Sequence, residues 1–98
     1  MYKDIISYQL AENISEEHLL KIATQVVDTW MKHQLGFLKW EIHKNNDGHY
    51  TDIVYWKSQE DAKRSEKDMV NIPSAIDWLS CYQQGSISYQ NINMIRSF

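Results

Sequence analysis

The sequence predicts an α+β fold of ferredoxin-like type, with order βαββαβ and one four-stranded antiparallel sheet covered by helices. Three observations lead there. A helical repeat of apolar residues follows a first β-like segment, two period-two segments flank a turn signature, and a last β-like segment closes the chain after a charged helical stretch.

Residues 2–10, YKDIISYQL, are rich in β-branched and aromatic residues and stop at AEN, which marks a first strand. In ISEEHLLKIATQVVDTWMKHQLG, Ser15 is placed to accept free amide hydrogens of a first helical turn. Glu16 and Glu17 suit the positive end of the helix dipole, and Ile14 can pack on Leu19. Leu19, Leu20, Ala23, Val26, Val27, Trp30 and Met31 recur at helical spacing, and Gly36 is expected to end the helix in a left-handed conformation.

FLKWEIHK and HYTDIVYW alternate on either side of NNDG, whose residues tolerate the positive φ of a tight turn, so they predict a β-hairpin. Strict alternation is expected to put Leu38, Trp40 and Ile42 with Thr51, Ile53 and Tyr55 on one face. Lys39, Glu41 and His43 then share the other with Asp52, Val54 and Trp56. On that reading Trp40 and Trp56 lie on opposite sides of the sheet, and the more apolar Leu38–Trp40 face is expected to meet the helices.

SQEDAKRSEKDMV predicts a solvated second helix, capped by Ser58 three residues before Asp61, with possible ion pairs from Glu60 to Arg64 and from Arg64 to Asp68. A short helix near Pro73 is expected to pack through Ile76, Trp78 and Leu79, and Gly85 releases a last strand in SISYQNINMIRSF.

The chain has 98 residues, 43% of them hydrophobic, which fits one domain over residues 1–98. Thirteen acidic against ten basic residues leave a net charge of -3 with no basic cluster, so nucleic acid is not an expected partner. Cys81 is the one cysteine and can form no internal disulfide; with no secretory signal and no apolar run long enough for a bilayer, a cytoplasmic location away from membranes is expected. Pairing with a second copy would bury more apolar surface than so short a chain can alone.

His43, Glu41 and Asp52 are the candidate catalytic cluster, because a histidine beside carboxylates can hold a base near neutral pH; a plain ion and hydrogen-bond network is the structural alternative. Trp56, with Trp40, Tyr55, Trp30 or Trp78, either fills core or walls a pocket for a flat aromatic or lipophilic molecule. His18 and His33 carry no site signal, Cys81 is expected to be buried and inert, and no metal spacing or cofactor-binding motif is readable.

The segment GFLKWEIHKNNDGHYTDIVYWKSQEDAK resembles the antibiotic biosynthesis monooxygenases. In that family Gly and Phe open a strand, a hairpin follows, and a second strand ends in Trp, one residue, Ser and an acidic helix start. The element order extends the resemblance over nearly the whole chain. It implies a dimeric α+β barrel, in which two four-stranded sheets pack face to face and a cavity lies between each sheet and its helices. The family's haem-degrading branch holds iron with a histidine of the second helix, and residues 58–82 contain none. Its cofactor-independent oxygenases use asparagine, tryptophan and tyrosine or arginine around an aromatic substrate. Trp56, Tyr55, Asn91, Asn93 and Arg96 are available residues of those types. The resemblance thus implies a homodimer that oxidises a small aromatic or quinol-type substrate without a cofactor; the alternative is a dimer that binds a small molecule, or serves structurally, without chemistry.

Overall fold

Strand β1 (Tyr2–Tyr8) lies in the middle of the sheet, paired antiparallel on one side with β3 (Tyr50–Trp56) and on the other with β4 (Ser88–Asn93). The hairpin partner β2 (Phe37–Lys44) completes the order β2-β3-β1-β4. Helix α1 (Glu16–Thr29) connects β1 to β2; α2 (Gln59–Asp68) and the short α3 (Ala75–Leu79) connect β3 to β4. This computed structural model describes residues 1–98, and it has the four-stranded antiparallel, ferredoxin-like α+β architecture expected from the sequence.

Local chemistry explains the helix starts. Ser15 is extended and its hydroxyl accepts from the amide of His18, and Ser58 does the same for Asp61. Helix α1 buries Leu19, Ile22, Ala23 and Val26, whereas Leu20, placed by the periodicity on the inner face, is exposed. The helix ends at Thr29, earlier than Gly36 suggested, and a 3-10 turn over Met31–His33 follows. Gly36, at φ 82°, instead turns the chain into β2 beside the first turn of α2, where a Cβ would overlap the Asp61 side chain.

The hairpin register departs from expectation by one residue. Lys44 pairs with Tyr50 across a five-residue loop, because His49 belongs to the turn: its amide is held by the Asn45 and Asp47 side chains, and its carbonyl accepts from the Asn45 amide. Ile42 therefore faces Asp52 and Trp40 faces Val54, so even-numbered residues of both strands share one side. A bulge at Leu38 resets the alternation, which brings Phe37 opposite Trp56 with ring centroids 5.8 Å apart. Two expectations fall with this register. Trp40 and Trp56 share a face, and Asp52 is separated by the sheet from Glu41 and His43.

The helix-covered face carries Tyr2, Tyr8, Tyr50, Val54 and Trp56 in the core, with Trp40 and Ile42 packed against it. Of Ile76, Trp78 and Leu79, only Trp78 is buried; Ile76 and Leu79 are exposed, because a five-residue helix presents one narrow stripe to the sheet. The opposite face of the sheet has no helix over it. It bears Lys39, Glu41, His43, Thr51, Ile53 and Tyr55, continued by Lys3, Ile5 and Ser7 of β1 and Ile92 of β4. No helix is long and apolar enough to cross a membrane.

Candidate functional site

Between the helix-covered face and α2 lies a cavity of about 480 Å³. All four tryptophans border it. Trp30 comes from the end of α1, Trp40 and Trp56 from the hairpin, and Trp78 from α3. Helix α2 closes it with Gln59, Ala62, Ser65 and Glu66, and this helix has few apolar residues to anchor it.

Hydrogen bonding divides the tryptophans into pairs. The Trp30 indole donates to Asp68 (2.8 Å), which also accepts from Gln34, and the Trp56 indole donates to Asp4 (3.1 Å). These bonds fix one edge of each ring. Asp68 is thereby committed to joining α2 to the end of α1 and makes no ion pair with Arg64, which bonds Asp61 at 2.7 Å instead. The indole nitrogens of Trp40 and Trp78 are buried and have no partner. Their rings meet edge to face at 5.9 Å, and Trp78 continues onto Tyr82 and then Tyr8.

Asp52 sits at the inner end of the cavity, 1% exposed. One carboxylate oxygen accepts from the Tyr8 hydroxyl at 2.7 Å, and the other, Oδ2, has no partner. Burial pushes its carboxyl up from the ordinary 3.8 to about 6, against the opposing effects of Tyr8, the nearby Trp40 N–H and the more distant His43. The Trp40 N–H is near enough to favour the charged form without reaching good hydrogen-bond geometry. Burial and the adjacent Asp52 keep Tyr8 protonated far above its ordinary range, so it serves Asp52 as a donor. A buried carboxylate poised near neutral pH, with one oxygen free and the Trp40 N–H close by, can take a proton from a ligand and hold the resulting oxyanion nearby.

Tyr2, Asp4, Glu66, Tyr89 and Asn91 also border the cavity, and the last three of these are exposed, which makes this its open end. With its amide oriented to satisfy its neighbours, Asn91 donates to Asp4 Oδ1 (3.0 Å) and accepts from the Tyr2 hydroxyl (3.1 Å). Burial raises the Asp4 carboxyl above its ordinary value, the Trp56 bond opposes this, and the charge of Glu66 adds to it.

Glu41 and His43 stand on the uncovered face. Glu41 accepts from Tyr55 at 2.7 Å and pairs with Lys39 (3.2 Å) and His43 (3.2 Å). The Tyr55 hydroxyl, then His43 and Lys39, hold the Glu41 carboxyl down to about 2, which makes it a poor proton acceptor near neutrality. Tyr55 belongs to this network, under the Lys39 ammonium at 4.6 Å, and does not border the cavity. Asn91 borders the cavity, while Arg96 lies in the tail over Phe98. Cys81 is fully buried, its thiol donating to the Asp77 carbonyl and raised in pKa chiefly by burial. No group of three or more His, Cys, Asp or Glu side chains is arranged to hold a metal ion. Sequence reasoning passed over Tyr2, Asp4 and Tyr8, although their even spacing along β1 was a readable signal of a shared face.

No protein-family model matches the sequence, and no curated protein matches it. Solved structures do. SnoaB, a cofactor-independent oxygenase from Streptomyces nogalater, is 10% identical with a TM-score of 0.77, covering 98% of this chain and 94% of its own. A monooxygenase from the gene ActVA-Orf6 of Streptomyces coelicolor, in complex with the ligand nanaomycin D, is 16% identical with a TM-score of 0.65, covering 99% and 89%. A structure described as an antibiotic biosynthesis monooxygenase gives 12% and 0.69, covering 98% of this chain and 100% of its own. At these identities the likeness establishes a shared fold along nearly the full length of each chain.

Proposed function

We propose that this chain is a monooxygenase-like enzyme that works without a bound cofactor, as a homodimer, on a flat electron-rich aromatic of anthrone or quinol type. The observation that carries the reading is Asp52, almost wholly buried with Oδ2 unpartnered, at the wall of a cavity bordered by four tryptophans. The ring of the substrate lies among the indoles, and its acidic O–H or C–H faces Asp52 Oδ2. Asp52 removes that proton, and the Trp40 and Trp78 N–H groups stabilise the negative charge left on the substrate oxygen. The anion is the reductant and molecular oxygen the oxidant. With an anthrone, one oxygen atom becomes the new carbonyl and the other leaves as water. Tyr8 positions Asp52 through the other carboxylate oxygen. Occurrence of the fold in SnoaB and the ActVA-Orf6 protein, which are described as a cofactor-independent oxygenase and a monooxygenase, supports the same class of reaction.

Glu41 and His43 are assigned to the uncovered face, where Ile5, Ile53 and Ile92 offer apolar surface to a second copy. Oxygen uptake with a panel of anthrones and quinols tests the reading. Asp52→Asn is expected to lower turnover by roughly 10²-fold or more, the scale of a lost general base, while Glu41→Gln stays within severalfold of the parent. If no substrate is oxidised faster than in buffer, the chain is a ligand-binding dimer without chemistry. If Glu41→Gln loses turnover as fully as Asp52→Asn while remaining folded, the base has been placed on the wrong face.

A further inference from the structure

The cavity has a charge pattern that its aromatic lining does not require. Three carboxylates border it, Asp4, Asp52 and Glu66, against one ammonium, that of Lys63. None of the three carboxylates makes an ion pair: the molecule's salt bridges involve other acids, and Asp4 and Asp52 are held by neutral donors. Grouping three carboxylates at an apolar cavity with none of them ion-paired is costly, and a chain folding for stability alone gains nothing from it.

The two ends of the cavity divide the work. At the buried end, Asp52 Oδ2 is an unpartnered acceptor, and this orphaned, nearly fully buried oxygen is itself the mark of a missing ligand group. At the open end, Asp4 and Glu66 lie within electrostatic reach of each other and of Tyr2 and Tyr89, whose phenols burial raises in pKa and the two carboxylates raise further. Trp56 completes this end through its bond to Asp4. Aromatic rings combined with unneutralised carboxylates are the arrangement that favours an organic cation, because ring faces and carboxylates both attract positive charge in a partly dry site.

We infer that the ligand of this cavity is a flat aromatic carrying a protonated amine, with the ammonium between Asp4, Glu66 and the surrounding rings and a hydrogen-bond donor directed at Asp52 Oδ2. Acids of similar shape are rejected by the three carboxylates. The inference rests on the reading of the cavity as a ligand site and specifies the chemistry that site selects.

Calorimetric titration with three naphthalenes of matched size tests it: 1-naphthylmethylamine, 1-naphthylmethanol and 1-naphthoate, each at low and high salt. The amine should bind roughly tenfold more tightly than the alcohol, the scale of a partly desolvated cation–π contact, and the naphthoate most weakly. High salt and Glu66→Gln should each narrow the ratio of amine to alcohol affinity severalfold; Glu66 is exposed, so its replacement leaves the fold intact. If all three bind alike, or the naphthoate binds best, the charge selection is wrong while the cavity stands. If none binds at millimolar concentration, the cavity reading falls with it.

Discussion

Asp52 is where burial and chemistry meet most directly. Its carboxyl titrates near 3.8 when unfolded and near 6 in the fold, so the native state holds the proton more tightly. That favours folding fully below about pH 4 and is lost as pH rises through about 6, a swing of roughly 3 kcal/mol. Asp52→Asn should therefore raise the melting temperature by several degrees at pH 8 and leave it nearly unchanged at pH 4. Destabilisation by Asp52→Asn at pH 8 in thermal unfolding would contradict this, because it would mean that the fold stabilises the charged carboxylate. Tyr8→Phe removes the one donor to Asp52 Oδ1. Because that bond favours the charged form, its loss should move the acid limb of the kcat/KM profile to higher pH. An unmoved limb would mean that another group sets it. The sequence flagged Asp52, but for a reason the structure removes. Strict alternation groups it with Glu41 and His43 on a shared face, whereas its hydrogen-bond partner is Tyr8, with the Trp40 indole nearby. Only knowledge of the strand pairing joins Tyr8 to a residue 44 positions away.

At the level of elements, helix starts were legible because capping is local: a serine and the backbone three residues on suffice. The hairpin faces were not, because they depend on whether the turn takes four residues or five. NNDG alone suggests four; the recruitment of His49 by Asn45 and Asp47 makes it five and exchanges the faces. Helix ends were also poorly legible, since Gly36 marked a real left-handed residue but assigned it to α1. Its role at α2 gives a prediction. Gly36→Ala combines a positive φ with overlap of the Asp61 side chain, and should cost about 1–3 kcal/mol in urea unfolding. An unchanged midpoint would mean that α2 does not rely on this close approach. Ser58→Ala removes the cap of the same helix and should cost about 1 kcal/mol, with faster amide exchange over residues 59–62 than in α1. Uniform exchange across both helices would contradict an independently loosened α2.

For the whole molecule, a sheet covered on one side only leaves Ile5, Ile53 and Ile92 with no helix over them, and the tail residues Ile95 and Phe98 are exposed. A second copy packed on that face would cover them, and a stable pair needs about 800 Å² from each partner. Native mass spectrometry should show a dimer, and Ile53→Lys should shift it to monomer; a monomeric parent would remove the barrel from the account. The element order and sheet class were readable in the sequence because they follow from periodicity and turn residues. The cavity was not, since it is assembled from β1, the hairpin, α2 and α3 through contacts that no local pattern encodes. The central claim is that a flat aromatic ligand sits between the sheet and α2 against Asp52. Its most direct test is the nitrogen–proton NMR spectrum of the four indole groups during titration with 1-naphthylmethanol. The account predicts that the unpaired Trp40 and Trp78 N–H signals move most, together with the Asp52 amide, while the carboxylate-bound Trp30 and Trp56 signals move less. Shifts confined to the Lys39, Glu41, His43 and Tyr55 face, with all four indoles still, would contradict it.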